Sequence, residues 1–170
     1  MFNEVRMGKA LQDGYRKKVF LMTNAATGST EADCGVVVVL RHDAIPYAFD
    51  HSVWEKYKFG EVFKADDPKT GKPATRNPFW KPAPGDFKVP GVGPVNIGIN
   101  ELQQSGVMFC VCNMAMTVYT NVVAGQANAK VEDVQKDWMA ALLPGVQVVP
   151  SGVWALGRAQ EHGCSYIFAG

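Results

Sequence analysis

Two hydrophobic patterns divide the chain. Short continuous apolar runs bounded by Gly, Pro, Asn or charge predict strands covered on both faces. These are Gly35–Arg41 with its four consecutive valines, Val107–Cys112, Val146–Val149 and Cys164–Phe168. Stripes at helical spacing predict helices between them. Ala44–Tyr57 carries Ala48, Trp54 and Tyr57, with Pro46 tolerated only in the first turn. Ile97–Ser105 carries Ile99 and Leu102 and stops at Gly106; Met114–Ala124 follows the second strand, with a turn at Gly125–Ala129. Val131–Leu143 sets Val131, Val134, Trp138 and Leu142 on one stripe and ends at Pro144-Gly145, and Gly152–His162 opens on Ser151 and ends at Gly163. Upstream, residues 3–16 predict a helix on Leu11 and Tyr15, weakened by Gly8 and Gly14. Val19–Met22 fits either a short strand or the end of that helix, and the face it shares with Leu11 and Tyr15 favours the helix. Thr23–Asp33 is small and polar, a loop. Strands alternating with helices predict an α/β protein: a mostly parallel sheet with helices on both faces.

One stretch breaks the alternation. Residues 58–94 hold seven of the ten prolines and have no periodicity. Phe79, Trp80 and Phe87 within it argue against disorder, since disordered segments are poor in aromatics. The expectation is one domain over 1–170 with an ordered Pro-rich insertion at 58–94. That insertion packs on the surface or on a neighbouring subunit; a lid over a site is the sharper alternative.

Composition narrows the classes. With 170 residues and 47% hydrophobic content the chain can bury a sizeable core. A net charge of +1 gives no basic stripe for nucleic acid. No apolar run approaches the roughly 18 residues of a membrane span. The first residues lack the basic-then-apolar order of a signal peptide, so a cytoplasmic protein is expected, or a periplasmic one if a leader has been removed. No GxGxxG, P-loop or metal cluster occurs, so no cofactor is implied. Cys34, Cys110, Cys112 and Cys164 have neither zinc spacing nor the density of a disulfide framework.

The chemistry gathers at Gly106–Met116. Cys112 stands where a buried strand ends and a helix begins, with Asn113 as a good N-cap type. Ligands of open α/β sheets bind at that edge, the helix end carries partial positive charge, and a thiolate is the reactive form of cysteine. Cys110, two residues earlier on the same strand face, is a packing residue or a resolving thiol. His42 ends the valine strand as Cys112 ends its own; if the strands are neighbours, His42 can deprotonate the thiol or hold its thiolate. The alternating Cys110, Cys112, Met114 and Met116 suit Cu(I) on paper, but a helix starting after Cys112 would part the two methionines, leaving them core residues. Trp54, Trp138 and Trp154 are core or subunit-interface aromatics.

Three stretches carry a resemblance: Val39-Leu40-Arg41-His42-Asp43-Ala44-Ile45-Pro46; Gly106 to Ala115; and Val149-Pro150-Ser151-Gly152-Val153-Trp154 with Gly163-Cys164-Ser165-Tyr166-Ile167. Together they resemble the DsrE/DsrF-like family of sulfur-relay and intracellular sulfur-oxidation proteins, over about residues 35–170. The chain is more closely similar to an uncharacterised branch carrying Trp54-Glu55-Lys56-Tyr57 and Arg76-Asn77-Pro78. The resemblance implies a flavodoxin-like fold, trimeric or hexameric homo-oligomers, and a persulfide-accepting cysteine at the position of Cys112. The N-terminal strand of such a fold is either absent here or Val19–Met22.

The expected function is therefore sulfur handling. Cys112 accepts sulfane sulfur from a donor protein as a persulfide and relays it to an acceptor, with Asn113 and neighbouring N–H groups holding the anion and Cys110 beside them. The alternative is a non-catalytic oligomeric binding or accessory subunit in which Cys112 is packing and the Pro-rich insertion makes the contacts.

Overall fold

A computed structural model describes residues 2–5, 20, 21, 23–30, 33–89, 91 and 93–169. Five parallel strands form the central sheet in the order β6-β5-β2-β1-β7. They are β1 (Phe2–Val5), β2 (Val37–Leu40), β5 (Met108–Cys112), β6 (Val146–Val149) and β7 (Tyr166–Ala169). A two-stranded antiparallel hairpin, β3 (Lys88–Val89) with β4 (Gly93–Pro94), lies outside the sheet. The helices are α1 (His51–Lys56), α2 (Phe59–Val62), α3 (Ile99–Gln104), α4 (Asn113–Ala127), α5 (Val131–Ala140) and α6 (Gly152–Glu161). The result is the expected flavodoxin-like α/β architecture.

The β1 strand corrects the expectation of a helix from residue 3. Phe2-Asn3-Glu4-Val5 has no strand-like run, yet it pairs on one side with β2 and on the other with β7. Ladders on both sides supply its backbone partners, and that support is entirely non-local. The rest of the expected first helix, with Leu11 and Tyr15, lies outside the described residues, as do Val19 and Met22. Phe20 and Leu21 are helical, and Thr23 to Ala26 continue the helix where a loop was expected.

Alternation along the strands sorts side chains between two faces. Val38, Leu40, Phe109, Val111 and Val146 face the main core, together with Leu21, Trp54, Phe59, Trp138 and Leu143. Val37, Val39, Cys110 and Val149 face the other way, onto Ala155, Leu156 and Ala159 of α6. Helices therefore cover both faces, unequally.

The helix expected over Ala44–Tyr57 is divided. His42–Ala48 is a 3-10 helix, Phe49 is extended, and α1 starts behind an Asp50 cap whose carboxylate accepts from Ser52 N–H at 2.9 Å. Phe49 bridges Leu142 at the end of α5, which holds the break open. The 58–94 insertion is not a surface layer or a lid. Phe59, Phe63, Phe79 and Phe87 belong to the main core. Asn77, fully buried, gives Nδ2–H to Tyr47 O (3.0 Å) and Phe49 O (2.8 Å), and its Oδ1 accepts from Phe79 N–H (3.0 Å). This one amide satisfies two buried carbonyls at the α1 break and one buried N–H of the insertion, so the insertion is part of the core it seemed to hang from.

Candidate functional site

The sheet's carboxyl edge is where the chain diverges. From β5 the backbone turns into α4, whose Ala115, Met116, Val123 and Ala124 pack on the main-core face. From the adjacent β6 it turns into α6 on the opposite face. Neighbouring strands whose connections leave to opposite faces open a crevice between them, the usual ligand position in open α/β sheets. Leu40 pairs with Val111 and Cys112 with Val149, so β2, β5 and β6 end level there.

The crevice encloses about 360 Å³. Cys112, Ala115 and Val118 line it from β5 and α4, Arg41 and His42 from the end of β2, and Ser151, Gly152 and Val153 from the start of α6. Cys112 is 6% exposed, so the thiol is met at the bottom of the crevice. Cys112, not Asn113, is the N-cap of α4: its Sγ accepts from Ala115 N–H at 3.4 Å. Asn113 is instead the first helical residue. It lines a different cavity with Met116, Thr117 and Thr120, against Gln135 and Met139 of α5. The reason is geometric: the strand's final residue already has the extended backbone of a cap (φ −74°, ψ 112°), so its own side chain covers the first-turn N–H groups.

Ser151 does cap α6, its Oγ accepting from Trp154 N–H at 3.1 Å. Two helix N-termini thus converge on the crevice, and each carries positive potential. Arg41 adds a cation, held close by Gly152: a Cβ there would stand 3.0 Å from both Cβ and Cδ of Arg41. His42 has left-handed backbone (φ 49°), an uncommon conformation for a non-glycine residue that clusters at functional sites.

A further pair flanks the crevice. The Tyr119 hydroxyl donates to Asp43 Oδ1, tying the His42 turn to α4. Desolvation, then the Asp43 carboxylate, pushes the Tyr119 phenol up to about 12, so it stays a donor. Behind Tyr119 the ring of Phe63 lies 4.7 Å away, which is how the insertion supports this wall without lining it. Tyr119 carries no local signal; only the packing of α4 against the 3-10 helix reveals it.

Cys110 does not share the crevice. It lines a groove under α6 with Val149, Ala155 and Cys164. Burial first, and Cys112 second, push its thiol up to about 12. All four cysteines are free thiols. Trp54 and Trp138 are fully buried in the main core, whereas Trp154 is 51% exposed. Among the described residues no group of three or more His, Cys, Asp or Glu side chains is placed to hold a metal ion. No helix among them is long and apolar enough to cross a membrane.

A scan against protein-family models and a search of curated proteins found no match. Among solved structures, the chain is similar to a protein of unknown function, MTH1491, from Methanobacterium thermoautotrophicum. The two are 18% identical with a TM-score of 0.48, over 98% of this chain and 96% of that one.

Proposed function

We infer that this protein is a sulfur carrier in which Cys112 accepts and releases sulfane sulfur. The supporting observation is the Cys112 thiol at the switch point of the sheet, capping a 15-residue helix and bonded by Ala115 N–H, with Arg41 and His42 beside it. In the forward step the Cys112 thiolate attacks the outer sulfur of a donor's persulfide. The Cys112 S–S bond forms, the donor S–S bond breaks, and the donor leaves as its thiolate. An acceptor thiolate reverses the sequence. His42 takes the Cys112 proton before attack, and the two helix N-termini hold the resulting anion. Donor and acceptor are proteins presenting a thiol. The cycle needs reduced thiols, which suits the cytoplasm. Copies of the chain assemble as a trimer or hexamer.

The accessory-subunit reading draws on the rim. Met114, Val118, Val122 and Val153 are exposed apolar side chains, and such clusters mark interaction surfaces. Intact-mass spectrometry after incubation with a persulfide donor separates the two readings. The carrier gains about 32 Da, one sulfur atom, on wild type and not on Cys112→Ser, and iodoacetamide labels Cys112 in the folded protein. If folded wild type takes up neither sulfur nor label at Cys112, the carrier reading fails and the accessory reading stands.

A further inference from the structure

The thinner face of the sheet holds a second cavity that the sulfur chemistry does not use. Right-handed crossovers carry the connections β2–β5 and β5–β6 to one face and β6–β7 to the other. Among the described residues α6 is the helix packed on that second face. It lies close over β2, since a Cβ on Gly152 would also stand 3.3 Å from Val39 Cγ1. Beside α6, among the described residues, a groove of about 430 Å³ runs along the β5–β6 side of this face, with Cys110 buried at its base. Small-molecule sites span roughly 300–1,000 Å³.

The groove is two-ended. Its floor of Val37, Cys110 and Val149 is apolar, and the protonated Cys110 thiol adds no charge. A crossover helix runs antiparallel to its strands, so Trp154 stands near the carboxyl edge and Arg158 and His162 follow toward the opposite edge. Gln147 lies on the β6 side. The Arg158 guanidinium is paired with Glu161, but Glu161 does not line the groove. An apolar bed with a cation toward one end is complementary to a molecule with an apolar body and an anionic head.

We propose that this groove binds an amphipathic small molecule: an aromatic ring body over Cys110 and Val149 beside Trp154, and an anionic head toward Arg158. The site is independent of the Cys112 reading, because the first turn of α6 separates the two cavities.

The test titrates the full chain with anilinonaphthalene sulfonate, an aromatic body with an anionic head, and with its uncharged relative phenylnaphthylamine. Sedimentation velocity is run at the same concentrations. The expected result is one sulfonate probe per chain, retained in Cys112→Ser. Binding is lost in Gln147→Trp, which fills the groove from an exposed position. The preference for the charged probe falls roughly threefold in Arg158→Gln and rises in Glu161→Gln, which releases Arg158 from its partner. All three positions are exposed, and circular dichroism verifies that each variant folds. Absence of saturable binding, or equal affinity for both probes in wild type and both charge variants, overturns the proposal. So does an oligomer that Gln147→Trp converts to monomer, which would assign the groove to a second copy of the chain.

Discussion

Cys110 and Cys112 lie two residues apart on one strand, yet they belong to different parts of the molecule. Cys110 sits mid-strand beneath α6, in the small cluster of the thinner face. Cys112 sits at the strand's end, in contact with the main core and open to the crevice. The two faces are covered differently. On the main-core face, aromatic side chains from α1, α2, α5 and the insertion interlock, with Phe59 5.0 Å from Trp138 and Tyr47 5.3 Å from Phe79. Among the described residues the other face is covered by one helix, α6, with alanines toward the sheet. Interlocked aromatics pack one face; on the other, among the described residues, α6 leaves open volume beside it.

That contrast can be broken from the main-core face first. Asn77→Ala leaves the Tyr47 and Phe49 carbonyls and the Phe79 N–H unsatisfied in the core. The expected loss is about 3 kcal/mol, since each unsatisfied buried group costs roughly 1–3 kcal/mol, and denaturant unfolding measures it. A loss under about 1 kcal/mol would mean that the insertion is not structurally integral. Leu156→Ala probes the thinner face. Leu156 is half-buried in the α6 cluster, so the expected cost is about 1.5 kcal/mol, below the roughly 2–5 kcal/mol of a fully buried leucine. Equal losses from the two variants would erase the contrast between the faces.

The smallest effect sharpens the distinction between the thiols, and it depends on pH. The folded-state value of Cys110 is raised to about 12 from about 9. The unfolded chain therefore gives up this proton first, and the unfolded state is favoured once the thiol ionises. The contribution is whole below about pH 9 and declines as pH rises toward 12. Thermal unfolding between pH 8 and 10.5 should show wild type losing stability faster with pH than Cys110→Ala. Parallel curves would mean that Cys110 is solvated in the folded protein.

Part of the site was legible along the chain because its determinants are local. The run Val107–Cys112, the Ser151 cap, and the placing of His42 after a valine strand are consequences of spacing and residue type over a few positions. Tyr119 and Asn77 were not legible as site and core residues, because the Asp43 partner of Tyr119 and the Tyr47 and Phe49 carbonyls that Asn77 binds lie at least 28 positions away. Asn113 misled for a subtler reason. Asparagine is a good cap, but the register of β5 against β6 carries the extended backbone one residue less far, and Cys112 takes the role.

Local patterning was enough for the alternating α/β class, the β2, β5 and β6 strands to within a residue or two, and the thiol at the end of β5. Short apolar runs and helical stripes are intrinsic to the chain and survive any arrangement of it. Long-range packing is what makes Phe2–Val5 an inner strand, brings the Pro-rich insertion into the core, and sets Cys110 and Cys112 toward different cavities. Those outcomes depend on which segments pair and on which face each crossover returns. Handedness and register set both across the whole molecule, and no stretch of residues carries them alone.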